Sequence, residues 1–257
     1  MPSSEAVLRV DGVSRRFDQI WALEQVTFAA PAGALVGLVG PNGSGKSTLV
    51  NCVVGLDSPT AGSVRVAGQR AGSDAARRLV AFAPDELPLP EMLTGHEYLA
   101  LTCALEHRDP STAVALASIF GLDGHLDKLV GAYSHGMKRR LQFSTTLSSP
   151  APLIVMDEPF SGLDLEAAVL LRASLAHIVR GGQTVLLTIH DVATAERECD
   201  RVVVLSQGSV VAEGSPVQIV SHAGLPSLED VVLEASGITA QITERVGRLA
   251  DALAVAC

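Results

Sequence analysis

The run Gly40-Pro41-Asn42-Gly43-Ser44-Gly45-Lys46-Ser47-Thr48 sets two glycines, Gly40 and Gly45, with four residues between them, followed by a lysine and two hydroxyl residues. Glycines let successive backbone N–H groups turn inward around a β-phosphate, and a helix starting there adds its positive N-terminal end. In such a loop Lys46 bridges β- and γ-phosphates, Ser47 reaches Mg²⁺ and Thr48 lies near the α-phosphate. Gly40, Asn42, Gly43, Ser44 and Gly45 form the cradle. A second group begins where the apolar run Leu153-Ile154-Val155-Met156 enters Asp157-Glu158-Pro159. A carboxylate at the end of a buried strand, here Asp157, can join the Mg²⁺ shell, and Glu158 can face the γ-phosphate and polarise a water as general base. His190 closes the apolar run Thr184 to Ile189 and precedes Asp191, a good helix N-cap. A lone histidine is commonly structural, but at the same sheet edge as Asp157 it reads as a hydrogen-bonding partner that senses the γ-phosphate.

Between these groups, Ser134-His135-Gly136 offers a hydroxyl, a small residue and free backbone donors at a helix start, which suits an anion. An ordinary capped amphipathic helix would look the same. The triplet Lys138-Arg139-Arg140 opposes the dipole of that helix, an arrangement that a docked anion would relieve.

These side chains need a frame. Ala34 to Val39 reads as a buried parallel strand feeding the glycine loop, and Lys46 to Leu56 as a helix stopping near Gly55. Val7 to Val10 and Val26 to Ala29 read as short antiparallel strands, Ser63 to Val66 and Leu79 to Ala83 as further strands. Pro84, Pro88 and Pro90 then mark a boundary. From Thr94 to Leu147 the pattern is helical throughout, with a start at Asp109-Pro110, a stop at Gly121 and Ser134 as N-cap of the last helix. Strand Leu153 to Met156, helix Leu165 to Val179, strand Thr184 to Ile189, helix Val192 to Cys199, strand Arg201 to Leu205 and Val210 to Ala212 after a Gln207-Gly208 turn restore an α/β alternation. The expected fold is an α/β P-loop NTPase core with a mostly parallel sheet, an N-terminal antiparallel β subdomain and an inserted helical subdomain. Its boundaries are placed at 1–84 with 150–216 for the core, 85–149 for the helices, and 217–257 for a helical tail that is Ala-rich toward Cys257 and carries no chemistry.

Composition narrows the classes. The chain has 257 residues and 47% apolar content, ample for a packed core. Net charge is −9 and the only dense basic cluster is Lys138-Arg139-Arg140, so nucleic acid is an unsuitable main partner. Cys52, Cys103, Cys199 and Cys257 stand apart with no CxxC pair, which fits reduced thiols in a reducing compartment. The start Met1-Pro2-Ser3-Ser4-Glu5-Ala6 lacks a charged lead and apolar core, and no apolar stretch approaches the roughly 18 residues that span a bilayer. A membrane role would therefore run through another subunit.

Taken together, the motifs resemble the ATP-binding cassette (ABC) family over nearly the whole chain. GPNGSGKST is similar to its Walker A motif, YSHGM to its signature, LIVMDEP to its Walker B with Glu158 as catalytic residue, Ser161 to Asp164 to its D-loop and His190 to its switch histidine. Phe17 falls where the family places an aromatic ring against adenine, a core phenylalanine being the alternative. The resemblance implies ATP and Mg²⁺ as ligands and a head-to-tail dimer, in which Ser134 and Gly136 cover the ATP of a second ATP-binding subunit. It also implies a cytoplasmic location on the inner face of the membrane, with membrane-spanning permease subunits docking near Asp85 to Tyr98. The signature and the stretch Ser227 to Leu233 look most like the type-2 exporters of drugs, lipids or polysaccharide precursors; an importer ATPase and a soluble non-transport ABC ATPase are the alternatives. Where the family usually has Gln, this chain has Asp85, beside Glu86. A carboxylate there would meet Mg²⁺ or the attacking water, making site closure more Mg²⁺-dependent. His135 and Met137 also depart from the usual signature.

Overall fold

In the computed structural model, which describes residues 6–86, 88–237, 244–246 and 248–249, two sheets share one interior. The first sheet is antiparallel, in the order β2 (Ile20–Pro31), β1 (Ala6–Phe17), β4 (Ala61–Val66), β5 (Gln69–Arg70). The second runs β10 (Ser209–Gly214), β9 (Arg201–Ser206), β3 (Leu35–Val39), β8 (Thr184–Ile189), β7 (Leu153–Asp157), β6 (Val80–Ala83). It is parallel except for β10, which returns beside β9 as an antiparallel edge. β3 and β8 are buried along their whole length, as a strand covered on both faces must be.

One face of the second sheet packs on α1 (Lys46–Val54) and the antiparallel sheet, through Leu8, Val26, Leu49, Val53, Val155 and Leu205. The other packs on α6 (Leu165–Arg180), α7 (Val192–Glu198), α8 (Pro216–Ala223) and α9 (Leu228–Ala235), through Ile154, Leu171, Ala195, Ile219 and Val231. The helical part holds α3 (Gly95–Leu105), α4 (Ser111–Ala117) and α5 (His135–Leu147) around a core of its own that includes Leu99, Cys103, Ala117, Leu122 and Leu141. The expected α/β class is thus observed.

Several local expectations change. β1 and β2 are each 12 residues long, well beyond Val7 to Val10 and Val26 to Ala29. Bulges near Val13 and Arg15 shift the alternation of apolar and polar residues, so the longer strands do not show a clean period of two. The stretch from Thr94 to Leu147 is not one helical run. The expected stop at Gly121, in the left-handed region at φ +78°, is observed, but an extended contact also joins Thr94 to Leu129 before α5 begins. A short helix α2 (Asp74–Arg77), capped by the Ser73 hydroxyl, and strand β5 were not anticipated. The Ala-rich end at Cys257 and the Met1 to Glu5 start lie outside the described residues.

Candidate functional site

Parallel strands bring their C-terminal ends to one edge, and register fixes which residues meet there. Val39 pairs with Ile189, Asp157 with Thr188 and Ala83 with Met156. The glycine loop after β3, His190 after β8, Glu158 after β7 and Asp85 after β6 therefore leave the sheet on the same side. A cleft of about 230 Å³ opens at the glycine loop, lined by Ala22, residues 42–48, Glu158 and His190. Of the residues singled out in the sequence, the structure gathers Asn42, Gly43, Ser44, Gly45, Lys46, Ser47, Thr48, Glu158 and His190 around this cleft.

Two of its glycines are irreplaceable on geometric grounds. A Cβ on Gly40 would lie 2.1 Å from the Leu205 carbonyl oxygen, and one on Gly45, at φ +104°, 2.6 Å from that of Ala22. Gly45 also caps α1 without a side-chain acceptor, so the first-turn N–H groups are left for an outside partner. The Ser44 hydroxyl is buried with no hydrogen-bond partner, and the space beside Gly43 is open within 4 Å. Lys46, only 7% exposed, donates from Nζ to the carbonyl oxygens of Gly40 at 2.7 Å and Pro41 at 3.2 Å. Burial pushes its ammonium below the usual lysine range, while the charges of Glu158 and Asp157 oppose that shift. A cradle of free donors, an orphan hydroxyl and a desolvated cation fits a phosphate chain.

The acidic side is equally ordered. Glu158 sits at φ +47°, in the left-handed region that residues with a Cβ avoid. Its N–H donates to Thr188 Oγ1 at 2.8 Å, and the Thr188 hydroxyl donates in turn to Asp157 Oδ1. This leaves the other carboxylate oxygen of Asp157 for a cation. The Glu158 carboxylate lies 3.0 Å from His190 Nε2, a distance at which an imidazole N–H donates to it. Among the described residues no cluster of three or more His, Cys, Asp or Glu is placed to hold a metal. Ser47 with the single carboxylate of Asp157 still suits Mg²⁺, which completes its shell with phosphate oxygens and water.

The remaining predicted residues lie apart. Phe17 is 43% exposed, so it is no core side chain; the Arg15 guanidinium covers one face at 4.5 Å from the ring centroid. Its hairpin leads through Ile20 into Ala22 at the cleft wall. Ser134 caps α5, its hydroxyl accepting from the Met137 N–H at 3.3 Å, and neither it nor Gly136 lines the cleft of its own chain.

Asp85, expected beside Mg²⁺, is given to another partner. Its carboxylate accepts from Arg139 Nη1 at 2.9 Å and lines a separate cavity of about 500 Å³ with Glu86, Pro88, Leu89, His135, Lys138, Arg139 and Gln142. The structure does not bring it into the glycine-loop cleft. The basic triplet likewise needs no docked anion: Lys138 pairs with Glu91 at 2.9 Å, Arg139 with Asp85, and Arg140 with Asp164, the N-cap of α6. Thr188 carried no role in the sequence, and Arg139 was expected to meet an anion where it instead grips Asp85 and the Glu158 carbonyl. Thr188 had a readable signal, since it is a hydroxyl residue in a mostly apolar strand, one step from the C-terminal edge where His190 follows. Arg139 had none, because its partners are 54 and 19 positions away.

A family model for ABC transporters matches residues 23–161. The chain is 34% identical over 237 residues to the Nod factor export ATP-binding protein I of Rhizobium sp. (strain N33), covering 88% of this chain and 77% of that protein. It is 32% identical to the protein of the same name from Ralstonia nicotianae, over 85% of this chain and 70% of that one. Among solved structures, the ATP-binding subunit of an ABC transporter superposes with a TM-score of 0.85 at 32% identity, covering 90% of this chain and 99% of that one. The dimeric structure of a bacterial ABC transporter cassette gives a TM-score of 0.75 at 25% identity, over 81% and 98%.

Proposed function

The chain belongs to the ATP-binding cassette (ABC) transporter family as an ATP-binding, ATP-hydrolysing subunit, and from that premise we propose that it drives export of a polysaccharide-, lipid- or drug-type substrate through a separate permease. The observation that carries the hydrolytic part is the Glu158–His190 contact on the wall of the glycine-loop cleft. Lys46 and the loop N–H groups bind the β- and γ-phosphates, and the Phe17 face not covered by Arg15 stacks on adenine. Ser47 and the free oxygen of Asp157 would hold Mg²⁺, which when bound would neutralise developing phosphate charge. Glu158 orients and deprotonates the attacking water, and His190 fixes the Glu158 carboxylate and reads the γ-phosphate.

Ser134 and Gly136 lie outside the cleft of their own chain, which supports a head-to-tail pair of ATP-binding subunits in which each signature covers the other's nucleotide. We take residues 1–84 with 150–216 as the nucleotide core, 85–149 as the helical subdomain and 217–257 as the tail. The cavity at Asp85 and Leu89, with Met92 exposed at 83% nearby, supports docking of permease helices beside the helical subdomain. No described helix is long and apolar enough to cross a membrane. The permease would thus supply the membrane span, with this subunit on its cytoplasmic face. The export direction and substrate class rest on the Nod factor export relatives. Affinity purification of the tagged chain from membranes, followed by ATP-driven uptake into inside-out vesicles, tests the proposal. Co-purification of a multi-span membrane protein and ATP-dependent accumulation of a polysaccharide-, lipid- or drug-type substrate inside the vesicles are expected. Recovery of the chain without any membrane protein would overturn it.

A further inference from the structure

Arg139 leaves α5 with its side chain only 4% exposed and reaches two segments at once. Nη1 donates to the Asp85 carbonyl oxygen at 2.8 Å and to Asp85 Oδ1 at 2.9 Å. Nη2 donates to the Glu158 carbonyl oxygen and, at 3.3 Å, to that of Asp157. The guanidinium also lies over the Phe143 ring, 5.5 Å from its centroid. Its Nε is buried without a partner, so the two ends of the fork, and not the satisfaction of every donor, dictate how the group sits.

That placement matters because of the backbone it grips. A left-handed conformation at a glutamate persists only where its surroundings over-determine it. At Glu158 the N–H is tied to Thr188, and the carbonyl oxygen accepts from Arg139 and, at 3.1 Å, from the Ser161 N–H. The direction in which the carboxylate leaves the chain follows from this peptide geometry, and with it the 3.0 Å approach to His190. We infer that Arg139 is a positioning residue for Glu158: it clamps the Asp157–Glu158 carbonyls so that the Glu158 carboxylate faces the glycine-loop cleft, and Asp85 anchors the clamp. The inference rests on the reading of Glu158 as the base. Lysine cannot replace the clamp, since one ammonium cannot serve two segments with the fixed fork of a guanidinium.

Steady-state hydrolysis of Mg²⁺-ATP by the full chain tests it, with Arg139→Lys, Asp85→Ala and the pair. Arg139→Lys should lower kcat about tenfold while KM for ATP stays within about twofold, because the glycine-loop contacts are untouched. Asp85→Ala removes a half-exposed side chain without opening the core, and should lower kcat roughly two- to fivefold in the wild-type background and by nothing further beside Arg139→Lys. A matched loss of kcat and affinity, or an equal Asp85→Ala effect in both backgrounds, would overturn the inference. If Arg139→Lys does not fold, an unchanged kcat in Asp85→Ala overturns it, and the predicted drop at constant KM supports it. Glu158→Gln is run beside them: a full rate there removes both the role of Glu158 and the clamp, whereas a dead Glu158→Gln beside a full-rate Arg139→Lys removes the clamp alone.

Discussion

Replacing Thr188 by Val probes the joint between the two acids with little change of shape. The hydroxyl accepts from the Glu158 N–H at 2.8 Å and donates to Asp157 Oδ1, and the side chain is 1% exposed. Valine leaves the Glu158 N–H without an acceptor, a cost of about 1–3 kcal/mol for a buried donor. Asp157, at the strand end and only partly buried, recovers part of its lost charge-assisted bond from water and leaves about 1 kcal/mol uncompensated, while the added methyl is favourable by about 0.8 kcal/mol. The balance is about 2 kcal/mol, which for a chain of this size lowers the thermal midpoint by roughly 4–8 °C. Because Asp157 then loses its fixed orientation, the Mg²⁺ concentration for half-maximal ATP hydrolysis should rise. Calorimetry without nucleotide and hydrolysis across a Mg²⁺ titration measure the two effects. Thr188→Ser keeps both bonds and loses one methyl, so it should cost about 1 kcal/mol and leave the Mg²⁺ requirement alone. A valine variant as stable as the wild type with an unaltered Mg²⁺ requirement, or a serine variant as impaired as the valine variant is expected to be, would exclude this role of the Thr188 hydroxyl.

Other consequences can be checked independently. Gly37→Ala places a Cβ 2.8 Å from Cys199 Sγ, an overpacking worth about 1–3 kcal/mol in chemical denaturation, and most of that cost should vanish in a Cys199→Ala background. Undiminished cost there would show that the clash is elsewhere. Lys46→Ala and Ser134→Arg should each abolish hydrolysis alone, yet an equal mixture should regain about a quarter of the wild-type rate, since half the dimers are mixed and each of those has one intact site. No recovery would place both residues in one chain's site. Burial pushes the Cys199 thiol up to about 12 from 9.0, so its peptide should resist alkylation at pH 8 in the native chain and label after denaturation. With the folded value raised, this thiol's contribution to stability is complete below about pH 9 and is lost as pH rises toward 12. A fast-reacting native Cys199 would contradict its burial.

What the sequence made legible was the chemistry that sits on contiguous stretches. Glycine spacing placed the loop after β3, an apolar run placed Asp157 at a strand end, and the His190-Asp191 pair marked the turn into α7. Each depends on residues adjacent in the chain, where local backbone physics decides the outcome. Contacts across long separations were not legible. Asp85 read as a free carboxylate because nothing nearby in sequence neutralises it; its partner Arg139 comes from a helix 54 positions on. For the same reason Lys138-Arg139-Arg140 read as an anion-seeking patch, when Glu91, Asp85 and Asp164 already neutralise it from three other segments. Even β1 and β2 were read short, since bulges erase the period of two that signals a strand.

In the proposed cycle Glu158 hydrolyses ATP at the glycine-loop cleft, and two chains must close on the nucleotide to do so. The most direct measurement is the hydrolysis rate of Glu158→Gln together with its molar mass in Mg²⁺-ATP by light scattering. Retained ATP binding is expected, with a rate lowered by about 10²-fold or more and accumulation of a dimer that the wild type, turning over, does not accumulate. A wild-type rate in Glu158→Gln, or an inactive variant that binds ATP and stays monomeric, would contradict that cycle.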